Sequence, residues 1–148
     1  MENYWNSYLS ICYYRWNQRK KLLQSLIWDC DYFLFIQRGF ELLKQSGILG
    51  YIIPSKFAKV GAGKNLRKLL YEEKAVEKII SFGANQVFKD KTTYTCILLL
   101  KKQGKESLLY HEVENMNNWK VKNYSIEFDD VEYQNLDENT WVLTPNHL

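Results

Sequence analysis

Three short apolar runs constrain the fold most: ILGYIIP (48–54), VEKIISF (76–82) and YTCILLLKK (94–102). Each is too short for a helix of ordinary length, and the first ends in proline, so each reads as a strand; ILGYIIP reads as a buried one. Between the first two lies KNLRKLLYEE, with Leu66, Leu69 and Leu70 at helical spacing on one inward face. A strand–helix–strand unit makes the two strands parallel through a right-handed crossover. No helix separates the second and third runs. The third strand is therefore the second arm of a long-looped hairpin, or an antiparallel strand inserted between neighbours. The expected class is α/β.

The flanks add to this pattern. Residues 3–27 read as an aromatic helix in one or two pieces, with Tyr4, Trp5, Tyr8, Leu9, Cys12 and Trp16 spaced by three and four. Leu22, Leu23, Leu26 and Ile27 continue the stripe, which requires a partner surface in the core or on another chain. Asp29 or Asp31 can cap a helix over 32–45 that turns Phe33, Ile36, Phe40 and Leu43 inward, with Gly47 as its C-cap. SKFAKVGAG reads as a loop. Downstream, residues 103–105 read as a turn and SLLYHEV as a further strand. Beyond Glu114 the chain is polar, and the expectation there is irregular structure with one strand near 124–128. The sequence contains no internal repeat.

Composition excludes more than it points to. The net charge of +3 over 148 residues permits an acidic partner without arguing for one. The cysteines Cys12, Cys30 and Cys96 follow no CxxC spacing, and His111 and His147 are far apart, so no metal is expected. Reduced buried thiols fit a cytoplasmic protein. The N-terminus lacks the apolar core of a signal peptide, and no run approaches the ~18 apolar residues of a membrane span.

In open α/β sheets ligands bind outside the carboxyl ends of the strands. Two loops leave such ends, one at Pro54-Ser55-Lys56-Phe57 and one over 83–93. Lys56, Phe57, Phe88 and Lys89 are thus candidates for one rim. Aromatics beside lysines suit a flat base next to phosphates, where stacking contributes ~1–3 kcal/mol per base. A loop phenylalanine is more often a plug folded onto its own domain. Gly61-Ala62-Gly63-Lys64 resembles a phosphate loop but departs from it at Ala58 and Asn65, so it reads as a turn leading into a helix. No GxGxxG turn follows a strand. No carboxylate pair or nucleophile–base arrangement stands out, and no catalytic residue is named.

FIQRGFELLKQSGILGYIIPSKFAKVGAGKNLRKLL followed by IISFGANQVFKDKTTYTCILLLKK resembles the C-terminal half of an adenine-N6 DNA methyltransferase core, of the type IIG-like restriction–modification group. The likeness covers about residues 29–103. It rests on landmarks in order: the Phe-Ile-x-Arg-Gly helix, the Gly-x-Leu-Gly-x-Ile-x-Pro strand, Lys56-Phe57, Gly63-Lys64-x-Leu66-Arg67, and Val87-Phe88 before Thr-Tyr-Thr. The resemblance implies a partial Rossmann-like fold, the C-terminal half of the sheet of an S-adenosylmethionine-dependent methyltransferase. It implies DNA as substrate, with the target adenine flipped out of the duplex. It also implies that Phe88 stacks on that adenine, and that Phe35 lies near the cofactor's adenine. The family's acidic residue falls at Cys30, flanked by Asp29 and Asp31, which leaves Asp31 as a cofactor-binding candidate.

Two departures qualify this. The family's Asn-Pro-Pro-Tyr motif belongs upstream, yet no proline precedes Pro54; nor does any glycine precede Gly39 to form the cofactor loop. The expected organisation is an N-terminal helical segment (1–28), half of a methyltransferase core (29–103) and an extension toward a target-recognition region (104–148). A partner chain or domain carrying the N-terminal half is implied. Without it the strand after Gly47 becomes a hydrophobic edge, covered by the aromatic helix or by a second copy in a homodimer. The alternative is a non-catalytic DNA-binding or assembly module, or an inactive remnant, of the same descent.

Overall fold

The computed structural model describes residues 31–89, 93–119 and 125–143. The chain divides into two units, Met1–Cys30 and Asp31–Leu148. The expected helix over 3–27 and Asp29 lie outside the described residues.

Helix α1 (Asp31–Leu42) forms where Phe33, Ile36 and Phe40 recur at three- and four-residue spacing, and all three are buried. It ends earlier than expected, and Gly47 is not its left-handed cap. Ser46 takes the positive φ of 62°, while the Gly47 N–H bonds the Lys44 carbonyl at 2.9 Å. A Cβ on Gly47 would stand 2.8 Å from Leu43 Cδ1, so glycine serves close approach there. The Lys102 ammonium donates to the Glu41 and Leu43 carbonyls, both at 3.1 Å, and satisfies the frayed end.

The sheet contains β1 (Ile48–Pro54), β2 (Val76–Ser81), β3 (Thr95–Lys101), β4 (Ser107–Glu112) and β5 (Asp129–Glu132). Their order is β1-β3-β2-β4-β5. β3 lies between β1 and β2 and is antiparallel to both, with Leu98 opposite Tyr51 and Ile79. Both readings of the third apolar run hold together: β3 is a hairpin arm and an inserted strand. The two strands flanking it point the same way, as the crossover requires. The crossover contains helix α2 (Lys64–Glu72), preceded by short 3-10 turns at Ser55–Ala58 and Gly61–Gly63. Leu66 and Leu70 are buried as expected, Leu69 is only partly so, and Arg67 is buried with them.

The core follows the period of two. Cys96, Leu98 and Leu100 on β3 have no exposed surface, and they share a face with Leu49, Tyr51 and Ile53 of β1. β4 runs parallel to β2, and β5 pairs antiparallel with β4. The sheet therefore continues past residue 103. The expected strand near 124–128 is displaced to β5. Residues 125–128 have no regular structure, and Tyr124 lies outside the described residues. The β2–β4 ladder begins only at Lys78. Ahead of it the Tyr133 phenol takes both backbone groups of Val76, accepting its N–H at 2.8 Å and donating to its carbonyl at 3.0 Å. One buried hydroxyl so replaces a missing strand partner.

β1 differs from expectation in burial. It is an edge strand among the described residues, with Ile48 64% and Ile52 59% exposed on one face. An unpaired apolar edge of this kind is a template for association.

Candidate functional site

The carboxyl ends of β1, β2 and β4 meet at one rim. Two bonds tie its loops together. The Ser55 N–H donates to the Tyr94 carbonyl at 2.9 Å, and the Phe82 N–H donates to the Thr95 carbonyl at 3.0 Å. Beneath them is a cavity of about 540 Å³. Its wall includes Lys56, Phe57 and Lys59 from the first loop, Ser81, Gly83 and Tyr94 from the second, and Tyr110, Glu112 and Trp141 from the later chain. This volume is within the range of about 300–1,000 Å³ typical of small-molecule sites.

Sequence-predicted residues separate here. Lys56 and Phe57 both reach the cavity, but in different ways. Lys56 is exposed, whereas Phe57 is 1% exposed and packs edge-on against Trp141, with ring centroids 6.2 Å apart. Phe57 is wall, and no free stacking face is left on it. Phe88 and Lys89 are on the loop leaving β2 but not among the cavity-lining residues. Val87 tucks against the cluster of Ile80, Phe82 and Val113. The Asn85 amide donates to the Val113 carbonyl at 2.6 Å. These anchors turn the next side chain outward, and Phe88 is 50% exposed. Phe88 is thus not a plug.

Helix α1 starts at the same rim, where the Tyr32 hydroxyl donates to the Pro54 carbonyl at 3.4 Å. Asp31 is the first residue of this helix. Phe35, one turn further, is 58% exposed, and its carbonyl accepts the Tyr51 hydroxyl at 3.0 Å.

The glycine–lysine segment is structural. A Cβ on Gly63 would collide with the Phe57 carbonyl, and Lys64 pairs with Glu138 at 2.9 Å. That partner, with its hydrogen bond first, holds the Glu138 carboxyl below its ordinary range. Arg67 pins the same turn. Its Nη1 donates to the Phe57 and Val60 carbonyls at 2.6 and 2.8 Å, and its Nε to the Glu138 carbonyl at 3.2 Å.

Sequence reasoning missed Tyr110, Glu112, Trp141 and the role of Arg67. The signal for the first two was present: alternation in SLLYHEV places both on one face of β4. Trp141 has no local signal, because it comes from an irregular segment. Cys96 lines the cavity, but burial pushes its thiol up to about 12, which leaves it protonated and unreactive. Among the described residues no group of three or more His, Cys, Asp or Glu side chains could hold a metal.

Residues 15–88 match the family described as Eco57I restriction-modification methylase. The type II restriction enzyme and methyltransferase RM.Eco57I of Escherichia coli is 49% identical over 114 residues, which is 76% of this chain and 11% of that protein. The type II methyltransferase M.HincII of Haemophilus influenzae is 31% identical over 159 residues, 92% of this chain and 30% of that one. This chain thus spans a minor part of the relatives it matches. Among solved structures, the type IIG restriction endonuclease BpuSI aligns with a TM-score of 0.54 at 14% identity, covering 70% of this chain and 14% of its own. The methyltransferase subunit of a type I restriction-modification system from Streptococcus thermophilus aligns at 0.52 with 23% identity, covering 72% and 23%. These likenesses show that the five-stranded mixed sheet, with β3 reversed between β1 and β2, belongs to a fold shared with both proteins. With half its length inside the family match, the chain belongs to the Eco57I restriction-modification methylase family.

Proposed function

We propose that this chain is the C-terminal half of the core of a site-specific DNA adenine-N6 methyltransferase and supplies the rim of its target-base pocket. The observation that carries the reading is the cavity at the carboxyl rim, with Lys56 on its wall and Phe88 half exposed on the loop that leaves β2. A base taken out of the stack needs an aromatic face and nearby cations for its phosphates. Phe88 is the stacking residue; Lys56 and Lys89 track the backbone; Phe57 shapes the wall.

The cofactor of such an enzyme is S-adenosylmethionine. This chain alone does not fit it. Phe35 offers one exposed ring and Asp31 starts the same helix, but no glycine precedes Gly39 to let a backbone loop approach the cofactor closely. No proline precedes Pro54, so the chain carries no Asn-Pro-Pro-Tyr motif either. A partner chain or domain supplies both, and it docks on β1, an edge strand among the described residues. Among the described residues no helix is long and apolar enough to cross a membrane.

The test is methyl transfer from labelled S-adenosylmethionine to duplex DNA. The chain alone is expected to transfer nothing. Adding a chain that carries the Asn-Pro-Pro-Tyr half is expected to restore transfer, and Phe88→Ala in that mixture to reduce it about 5- to 150-fold, the equivalent of one lost stack. Transfer by the chain alone would refute the division of labour. The half-exposed Phe88 on the rim also suits a second reading, a non-catalytic DNA-binding module. Duplex binding that Phe88→Ala abolishes, with no rescue of transfer by the partner, would select it.

Edge docking has its own test. Ile52→Lys places a charge on the exposed face of β1 and is expected to weaken partner assembly, or self-association of the chain alone, at least tenfold by sedimentation. An unchanged assembly constant would remove β1 as the docking edge.

A further inference from the structure

Several polar groups line the rim cavity, and they hold one another. The Tyr110 hydroxyl donates to Glu112 Oε2 at 2.8 Å, the two residues sharing one face of β4. The Ser81 hydroxyl lies against the same phenol and accepts the Gly83 N–H at 3.2 Å. Burial first, and the carboxylate bond second, push the Tyr110 phenol above its ordinary range, so it stays a donor. One carboxylate oxygen is therefore occupied. The other, Oε1, receives no donor among the described residues.

Gly83 keeps that second oxygen open. It has a φ of +50°, and a Cβ there would stand 3.0 Å from Glu112 Oε1. Any other residue would cover the oxygen as well as strain the turn. A carboxylate held by a tyrosine and uncovered by a glycine is an acceptor aimed at a ligand N–H. The remaining wall says which kind of ligand. Lys56 and Lys59 line the same cavity and disfavour a cation while attracting an anion. Tyr94, largely exposed at the cavity, offers aromatic surface. An N–H donor on a flat ring, joined to an anionic group, describes a nucleotide.

We infer that Glu112 is a specificity-determining residue of this pocket, its Oε1 accepting an N–H from the base of a nucleotide whose phosphate is held by Lys56 and Lys59. This rests on reading the rim as a base pocket.

The experiment compares adenosine 5′-monophosphate with purine riboside 5′-monophosphate, which lacks the amino group, by calorimetric titration of the full chain. The first is expected to bind about tenfold more tightly than the second, because a hydrogen bond to a charged group contributes about 1.5–3 kcal/mol. Glu112→Leu is expected to erase the preference. Gly83→Ala should erase it too, by covering the oxygen while Glu112 itself is kept. Lys56→Ser should weaken both nucleotides alike. Equal binding of the two nucleotides to the wild-type chain would overturn the role of Glu112 and leave the base pocket standing. Binding of neither would overturn both.

Discussion

Arg67→Ala is expected to lower the stability of the fold by roughly 3–5 kcal/mol, since three carbonyls lose a charged donor and each buried loss costs about 1–3 kcal/mol before water returns. Arg67 is 2% exposed, and its hydrogen-bond partners among the described residues are carbonyls. Its fork joins three stretches of chain: the turn after β1 at Phe57 and Val60, its own helix α2, and the later segment at Glu138. Burial lowers its pKa, and nearby Asp137 partly opposes this. The group nevertheless keeps its charge, because guanidinium is protonated at any working pH. Arg67→Lys is expected to recover less than half of the loss, because an ammonium cannot match the planar fork. Urea denaturation with an unchanged m-value measures both. A loss under ~1 kcal/mol for the alanine variant would show that water replaces the guanidinium and that the turn is held by other means.

Trp141→Ala is expected to cost about 3–5 kcal/mol, the range for a fully buried aromatic cut to a methyl group. Trp141 is wedged against Phe57; its backbone N–H donates to the Ala58 carbonyl at 2.9 Å and its indole N–H to the Asp137 carbonyl at 2.7 Å. The late segment thereby closes one wall of the rim cavity. The variant should therefore lose nucleotide affinity as well as stability. Trp141→Phe should retain most of both, because the apolar contact with Phe57 survives and only the indole bond is lost. If Trp141→Ala left the denaturation midpoint unchanged, the segment beyond residue 136 would be an appendage and no part of the core.

The elements that were legible in the sequence are those whose pattern is local. Helix α1, helix α2 and strands β1 to β4 were readable because their apolar residues repeat at 3.6 or 2 over a continuous stretch. Their ends were less so. Gly47 looks like a C-cap, but a side chain at that position would strike Leu43 and Lys44 whatever its dihedral, and Ser46 carries the left-handed turn instead. β5 was misplaced by several residues, because the four residues DDVE carry one aliphatic side chain among acids and pair only since β4 offers a free ladder. The site divided in the same way. Topology put Lys56 and Phe88 on one rim from the direction of the strands alone. It did not distinguish Phe57, turned inward against Trp141, from Phe88, turned outward by Val87.

The sequence by itself determined the class of fold, the direction of the strands and the end of the sheet at which the rim cavity lies, because these follow from periodicity and the handedness of crossovers. It also determined family membership, through landmarks that keep their order. Only the tertiary structure decided where β3 inserts, that Arg67 is a buried pin, and that Glu112 opens beneath Gly83. Each of these depends on groups distant in the chain. Arg67 meets Glu138 and Tyr133 meets Val76 only after the sheet has formed, and no local pattern records which carbonyl a buried donor will find.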